Sequence, residues 1–366
     1  MQGVRGSSDA SPAARAGASA HPPPRTWLLV GEKPGDNAQI RVVGEALGWP
    51  IEERRVAMRD AWVRGKPRMR PSLDHVALER SDRLEPPWPD LILTIGRRLS
   101  MVALWIRARS GARSRIVLLG IPRRLGQRFD LIVATGQYRA PRGRNVLQLG
   151  LPLVRVDPAA VTAAAEIWRP RLSDLARPLT AVLVGGPTKP VSLDAAVARR
   201  LAEDASRLVS ESGGSLFVST SRRTPPEVTD ALAAALPAGS TLYRWQPEAP
   251  EENPYLALLG LADQFVVTTD SVTMMVEVAR LGRPLRLFEL PFVRGAWWRT
   301  LGSPRDLRAI PRLLYERGLA TRLGAPARAP AGLPPDELPR VVARIRALFE
   351  DSPTTGVAAP ASRAAV

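Results

Sequence analysis

The stretch VVTTDSVTMMVEVARLGRP, residues 266–284, decides how the rest of the chain is read. An apolar run ends in the hydroxyls Thr268 and Thr269, and a helical pattern begins directly behind Asp270 and Ser271. A strand that passes into a helix through a polar turn is the repeating unit of a parallel α/β sheet. Either Asp270 or Ser271 suits the N-cap, leaving free N–H groups at the helix start that attract phosphate. Thr273 and Glu277 are four apart and share a face, with Met274 beside them and Asp270 seven residues before Glu277. A carboxylate there can accept two hydrogen bonds from a ribose diol while the helix start holds a diphosphate. The structural alternative is an i,i+3 ion pair of Glu277 with Arg280.

Working outward, the same alternation fills the chain. TWLLVG (26–31), PDLILTIG (89–96), RIVLLG (115–120), LIVATG (131–136) and NVLQLG (145–150) read as strands, and IEERRVAM as a weaker one. Near-continuous apolar runs that end in glycine suit parallel strands buried on both faces. Helical patterns lie between them, one over residues 37–48 and one from Leu99 to Gly111. A proline-bounded helix in residues 158–178 reads as a linker, after which the pattern restarts. TAVLVGG, SLFVSTS, STLYRWQ and QFVVTT are strands, and PLRLFELP is expected to close the second sheet. Two further helices are expected near residues 305–318 and 335–350. The spacing predicts an α/β chain of two Rossmann-like domains, 26–157 and 179–350, flanked by low-complexity tails at 1–25 and 351–366. Two such halves place a ligand in the cleft between them, at the carboxyl ends of the strands.

Composition narrows the chemistry. The chain has 366 residues and no cysteine, which excludes disulfides and thiolate metal sites. Its only histidines are His21 and His75, which argues against a histidine metal centre or a Ser-His-Asp triad. Net charge is +17, yet only Lys33, Lys66 and Lys189 of the 52 basic residues are lysine. The arginines are scattered, with no nucleic-acid motif, so nucleic acid is not expected as a partner. Contact with an anionic membrane surface remains compatible with this charge. The first 25 residues have no apolar signal core and no run approaches a membrane span, so a cytoplasmic location is expected, peripheral to the inner membrane if that contact exists.

Four loops at strand ends carry the candidate ligand chemistry in the second half. In GGPTKP, Gly185 and Gly186 allow close backbone approach while Thr188 and Lys189 can reach a phosphate; an ordinary βα turn is the alternative. In STSRRTPPE, Ser221, Arg222, Arg223 and Thr224 precede a helix with proline in its first turn, an anion site or a solvated turn capped by Thr224. In QPEAPEENPY, Asn253 caps a helix, or it meets a nucleobase together with Tyr255. The fourth is the opening stretch.

In the first half, GEKPGDNAQ supplies Lys33, Gly35, Asp36, Asn37 and Gln39. Asp36 is a candidate general base toward an acceptor hydroxyl, or the helix cap, a role Asn37 can also take. Gly96 and Arg97 open another helix and can hold an anionic group, and Gln137 lies in the last loop on that edge.

The loops GEKPGDNAQ, PDLILTIGRR, FDLIVATGQYRAPRGRNVL, VLVGGPTK, STSRRTP, ENPYLALLGLAD and VVTTDSVTMMVEVARLGRP, in this order, resemble the bacterial mitochondrial-fission Elm-type family, regarded as glycosyltransferases. The resemblance spans residues 26 to about 295. The second half also looks like the donor domain of the GT-B enzyme that adds N-acetylglucosamine during peptidoglycan synthesis, with Glu277 at the position of its ribose-binding glutamate. The resemblance implies a GT-B fold that moves sugar from a nucleotide-sugar donor to a glycan or glycolipid hydroxyl, with no cofactor and no metal. Relatives often carry histidine in the first loop and a His-Asp pair near FDLIVATGQYR, where this chain has Asp36 and Gln137-Tyr138. Plant relatives linked to mitochondrial fission suggest a non-catalytic adaptor as an alternative, and nucleotide-sugar epimerases of the same fold suggest another.

Overall fold

The computed structural model describes residues 22–63, 70–122, 125–140, 142–249, 252–293, 305–326 and 328–350. The predicted tails lie outside these, except for residues 22–25. Two parallel sheets of six strands each form the framework. The first contains β1 (Thr26–Val30), β2 (Ile51–Arg55), β3 (Leu91–Ile95), β4 (Arg115–Leu119), β5 (Leu131–Ala134) and β6 (Val146–Gln148), in the order β2-β1-β3-β4-β5-β6. The second contains β7 (Leu179–Leu183), β8 (Ser215–Ser219), β9 (Thr241–Tyr243), β10 (Gln264–Thr268), β11 (Leu285–Phe288) and β12 (Thr321–Arg322), in the order β12-β11-β10-β7-β8-β9.

The connecting helices are α1 (Pro34–Leu47), α2 (Asp60–Val63), α3 (Gly96–Arg109), α4 (Pro158–Trp168), α5 (Ala195–Ser212), α6 (Pro226–Ala235), α7 (Tyr255–Leu261), α8 (Val272–Arg280), α9 (Ala309–Glu316) and α10 (Leu338–Glu350). Local sequence sets their limits. Pro34 starts α1 where a missing N–H costs nothing, and Gly48 stops it at φ 66°, a left-handed position favourable to glycine. Central strands are buried along their whole length, whereas the edge strand IEERR is largely exposed. Its four charged side chains discourage pairing with another chain.

Alternate residues of β1 serve opposite faces of its sheet. Trp27 and Leu29 pack toward Val102, Ala103 and Ile106 of α3; Leu28 and Val30 pack toward Ile40, Val43 and Leu47 of α1. The linker helix α4 is part of the second half's core. It lies so close to α7 that a Cβ on Gly260 would sit 3.0 Å from Val161 Cγ1.

Two expectations need correction. PLRLFELP does not close the second sheet, because β12 pairs with β11 beyond it. The last helix, counted by sequence with the second half, docks on the first. Leu338, Val341 and Ile345 of α10 share a core with α1 and β1, and Phe349 meets Trp49 edge to face at 5.2 Å. Burying each such aliphatic side chain contributes about 1.5–3 kcal/mol relative to exposure. Glu337 fixes the crossing point, accepting hydrogen bonds from the N–H groups of Gly150 at 2.8 Å and Leu151 at 3.2 Å.

Candidate functional site

The carboxyl ends of both sheets open on one cleft of about 510 Å³. The first half lines it with Lys33, Gly35, Asp36, Gln39, Gly96, Arg97 and Gln137, and the second with Thr188, Arg222, Arg223, Asp270, Ser271 and Thr273. The halves nearly touch where a Cβ on Gly35 would lie 3.6 Å from Thr273 Oγ1. Behind the cleft they are joined by backbone, since Asp306 donates its N–H to the Gln137 carbonyl at 2.7 Å.

Asp270 organises the second half's loops. Its buried carboxylate accepts from Gly186 N–H at 2.8 Å, from the Thr268 hydroxyl at 2.7 Å, and from Arg223 Nη2 at 2.7 Å. Arg223 also reaches the Thr188 hydroxyl at 2.9 Å. The Thr224 hydroxyl donates to the Gly185 carbonyl at 2.6 Å and accepts from Ser221 N–H at 2.9 Å. The glycines therefore have an internal reason. A Cβ on Gly185 would collide with the Asp270 carboxylate, and one on Gly186 with the Arg223 backbone. Asp270 and Thr224 are not helix caps: α8 takes Ser271 as N-cap with no side-chain bond, and α6 takes Pro225. The first turn of α8, with no acidic residue and no capping side chain, faces the cleft with its N–H groups.

Glu277 sits one turn below Thr273, outside the cleft lining. It forms no ion pair with Arg280 and accepts a hydrogen bond from the Tyr255 hydroxyl. Burial pushes the Glu277 carboxyl up to about 7, and the Tyr255 hydrogen bond only partly opposes this. Burial, with the nearby carboxylate, also pushes the Tyr255 phenol well above its ordinary value. α7 takes Pro254 as N-cap, and Asn253, the residue before it, accepts from Tyr255 N–H through its Oδ1 at 3.0 Å. Met274 packs against the apolar core, and Lys189 is exposed outside the cleft lining.

On the opposite wall α1 begins two residues before Asp36, so Asp36 lies within its first turn and is not a cap. Its half-exposed carboxylate is 3.7 Å from Lys33 Nζ. Asn37 is buried and clamps Gly31, accepting its N–H at 2.9 Å and donating to its carbonyl at 2.7 Å. Both cap assignments are thus overturned, because the Gly31 backbone six residues before it holds Asn37 and α1 starts earlier. Gly96 adopts φ 74° and turns the chain from β3 into α3, which places Arg97 on the cleft wall.

Three polar cleft residues were missed from the sequence. Tyr138 and Arg305 form an isolated antiparallel bridge and both line the cleft. Burial raises the Tyr138 phenol; the Asp36 charge adds to this and Arg305 opposes it. Thr135, directly behind β5, is the third. Arg305 comes from 167 residues beyond Tyr138 and carries no local motif to flag it. Among the described residues, no group of three or more His, Asp or Glu side chains is placed to hold a metal ion. None of their helices is long and apolar enough to cross a membrane.

Two parallel-sheet halves facing a cleft at their strand ends define a GT-B fold. The profile of the family described as Mitochondrial fission ELM1 matches residues 34–349, and the chain belongs to that family. The match reaches past residue 295 to include α10. Mitochondrial fission protein ELM1 of Arabidopsis thaliana is 26% identical over 224 residues, 55% of this chain and 52% of that protein. An uncharacterized protein of Rickettsia prowazekii (strain Madrid E) is 23% identical over 236 residues, 56% of this chain and 65% of the relative. The chain thus spans between half and two thirds of the curated relatives it matches. Among solved structures, a Listeria monocytogenes protein assigned as a UDP-N-acetylglucosamine 2-epimerase is similar, with TM-score 0.50 and 12% identity. That likeness covers 90% of this chain and 97% of the other and concerns the fold alone.

Proposed function

We propose that the protein is a glycosyltransferase that moves a sugar from a nucleotide-sugar donor to the hydroxyl of a glycan or glycolipid acceptor. The observation that carries this reading is the uncapped start of α8, facing Arg222 and Arg223 in a cleft between two sheets. A diphosphate fits there: free N–H groups and the helix dipole meet its charge, and guanidinium groups stabilise it as it departs. No metal is required for that step in this reading. Glu277, one turn below, holds the ribose diol once its carboxyl is ionised and the Tyr255 hydroxyl has yielded or shared it. Asp36, across the cleft, removes the proton from the acceptor hydroxyl.

The test is calorimetric titration with a panel of nucleoside diphosphates and nucleotide-sugars, with Glu277→Ala as control. Saturable binding to one base, weakened in the variant, supports the reading. Folded protein that ignores all of them at millimolar concentration overturns it. Membership of a family named for mitochondrial fission favours a second reading, a non-catalytic adaptor on the same fold. Under that reading Asp36→Ala leaves function in cells intact; under the first it abolishes transfer while nucleotide binding persists.

A further inference from the structure

The first-half wall of the cleft carries a basic side chain at the start of a helix. Arg97 lines it with Lys33 and Asp36, and Arg305, from the second half of the sequence, borders the same cleft. The other two arginines, Arg222 and Arg223, stand on the donor side, where Asp270 already engages Arg223. Arg97 leaves its Nε buried with no hydrogen-bond partner among the described residues. It also opens α3, a helix of 14 residues whose first turn has no acid and no capping side chain. Helix starts of that kind are anion sites when a second group points to the ligand.

That second group is Thr135. It is 7% exposed, borders the cleft, and its hydroxyl has no partner among the described residues. A buried hydroxyl with no bond costs stability, and a ligand is one way to satisfy it. The strand order makes Arg97 and Thr135 neighbours of one strip, behind β3 and β5 with only β4 between them. Leu119, Ile121, Val133 and Leu153 give the same wall an apolar floor. Desolvation against it strengthens any charge-assisted hydrogen bond made there.

We propose that this wall is an oxyanion subsite: the acceptor carries a phosphate or carboxylate, held by Arg97, the start of α3 and the Thr135 hydroxyl. Arg305 and Lys33 add charge from either side, leaving Asp36 next to the acceptor hydroxyl. The assignment of this anion to an acceptor rests on the glycosyltransferase reading; the subsite itself does not.

Glycerol 3-phosphate and glycerate serve as minimal probes, with glycerol as the uncharged control, titrated by ligand-observed NMR with and without saturating UDP. The expected result is saturable millimolar binding of at least one anion but not glycerol, undisturbed by UDP. Arg97→Gln weakens it about tenfold or more, the scale of one charged hydrogen bond, and Arg97→Lys less. Thr135→Val removes a hydroxyl that no described group of the protein uses, so it folds at least as well as the parent yet binds the anion more weakly. The better probe identifies the group as phosphate or carboxylate. Anion binding lost in Arg222→Gln or displaced by UDP, or absent in folded protein that binds UDP, overturns the subsite and leaves the donor reading standing. Anion binding that depends on Arg97 in a protein indifferent to every nucleotide upholds the subsite and overturns the donor reading.

Discussion

Asp270 and Glu277 stand seven residues apart, one at the start of α8 and one within it, and are buried in opposite ways. Asp270 has a guanidinium, a backbone N–H and a hydroxyl around it. Glu277 has one phenol hydroxyl, and burial lifts its carboxyl to about 7. A carboxylate whose acceptor capacity is filled by its own protein is a strut. One that is short of donors is available to a ligand, and two hydroxyls of a sugar would supply what Tyr255 alone does not.

The largest effect that would break this contrast belongs to Asp270. Asp270→Ala leaves Gly186 N–H and Arg223 without their carboxylate; as Arg223 is half in water, the loss should be about 2–4 kcal/mol in urea unfolding. An unfolding midpoint equal to the parent's would show that the strut carries no load. Next comes Glu277→Gln, which should keep the fold and weaken nucleotide binding about tenfold, the scale of a lost charged hydrogen bond. Equal affinity would remove Glu277 from the donor site.

A third effect follows from linkage. The folded carboxyl of Glu277, at about 7, lies above the ordinary 4.5, so the folded state holds the extra proton between those values. Its contribution to stability is complete below about pH 4.5 and is lost as pH rises through about 7. Unfolding measured at pH 5 and pH 8 should show this decline, and Glu277→Gln should flatten it. Nucleotide affinity should move the other way, rising through about pH 7 as the carboxylate forms. The smallest change is Tyr255→Phe. Without the hydroxyl that lowers the Glu277 pKa, the affinity profile should shift to higher pH with little loss at its plateau.

Most of the framework could be read from the chain because buried parallel strands are short apolar runs with glycine behind them. β12 escaped because Thr321–Arg322 is a two-residue edge strand with no apolar run. The destination of α10 escaped for another reason: an amphipathic pattern shows which face of a helix is buried, not which sheet buries it. The short polar residues misled in one consistent way. Asp36, Asn37, Thr224 and Asp270 all have the chemistry of helix caps, yet Asn37 spends it on the Gly31 backbone of its own loop, and Thr224 and Asp270 spend it on other loops. Local sequence cannot signal a partner 39 or 84 residues away. Arg305 and Thr135 were invisible for the same reason.

The docking of α10 on the first sheet means that the described polypeptide returns to the first half after passing through the second. The polypeptide passes between the halves twice, once just after Gly150 and once just before Leu338. Glu337 binds the two passages to each other at Gly150 and Leu151. Sliding one half past the other would have to tear Glu337 from the Gly150 backbone, and swinging the walls of the cleft apart would also have to break the Asp306–Gln137 bond behind it.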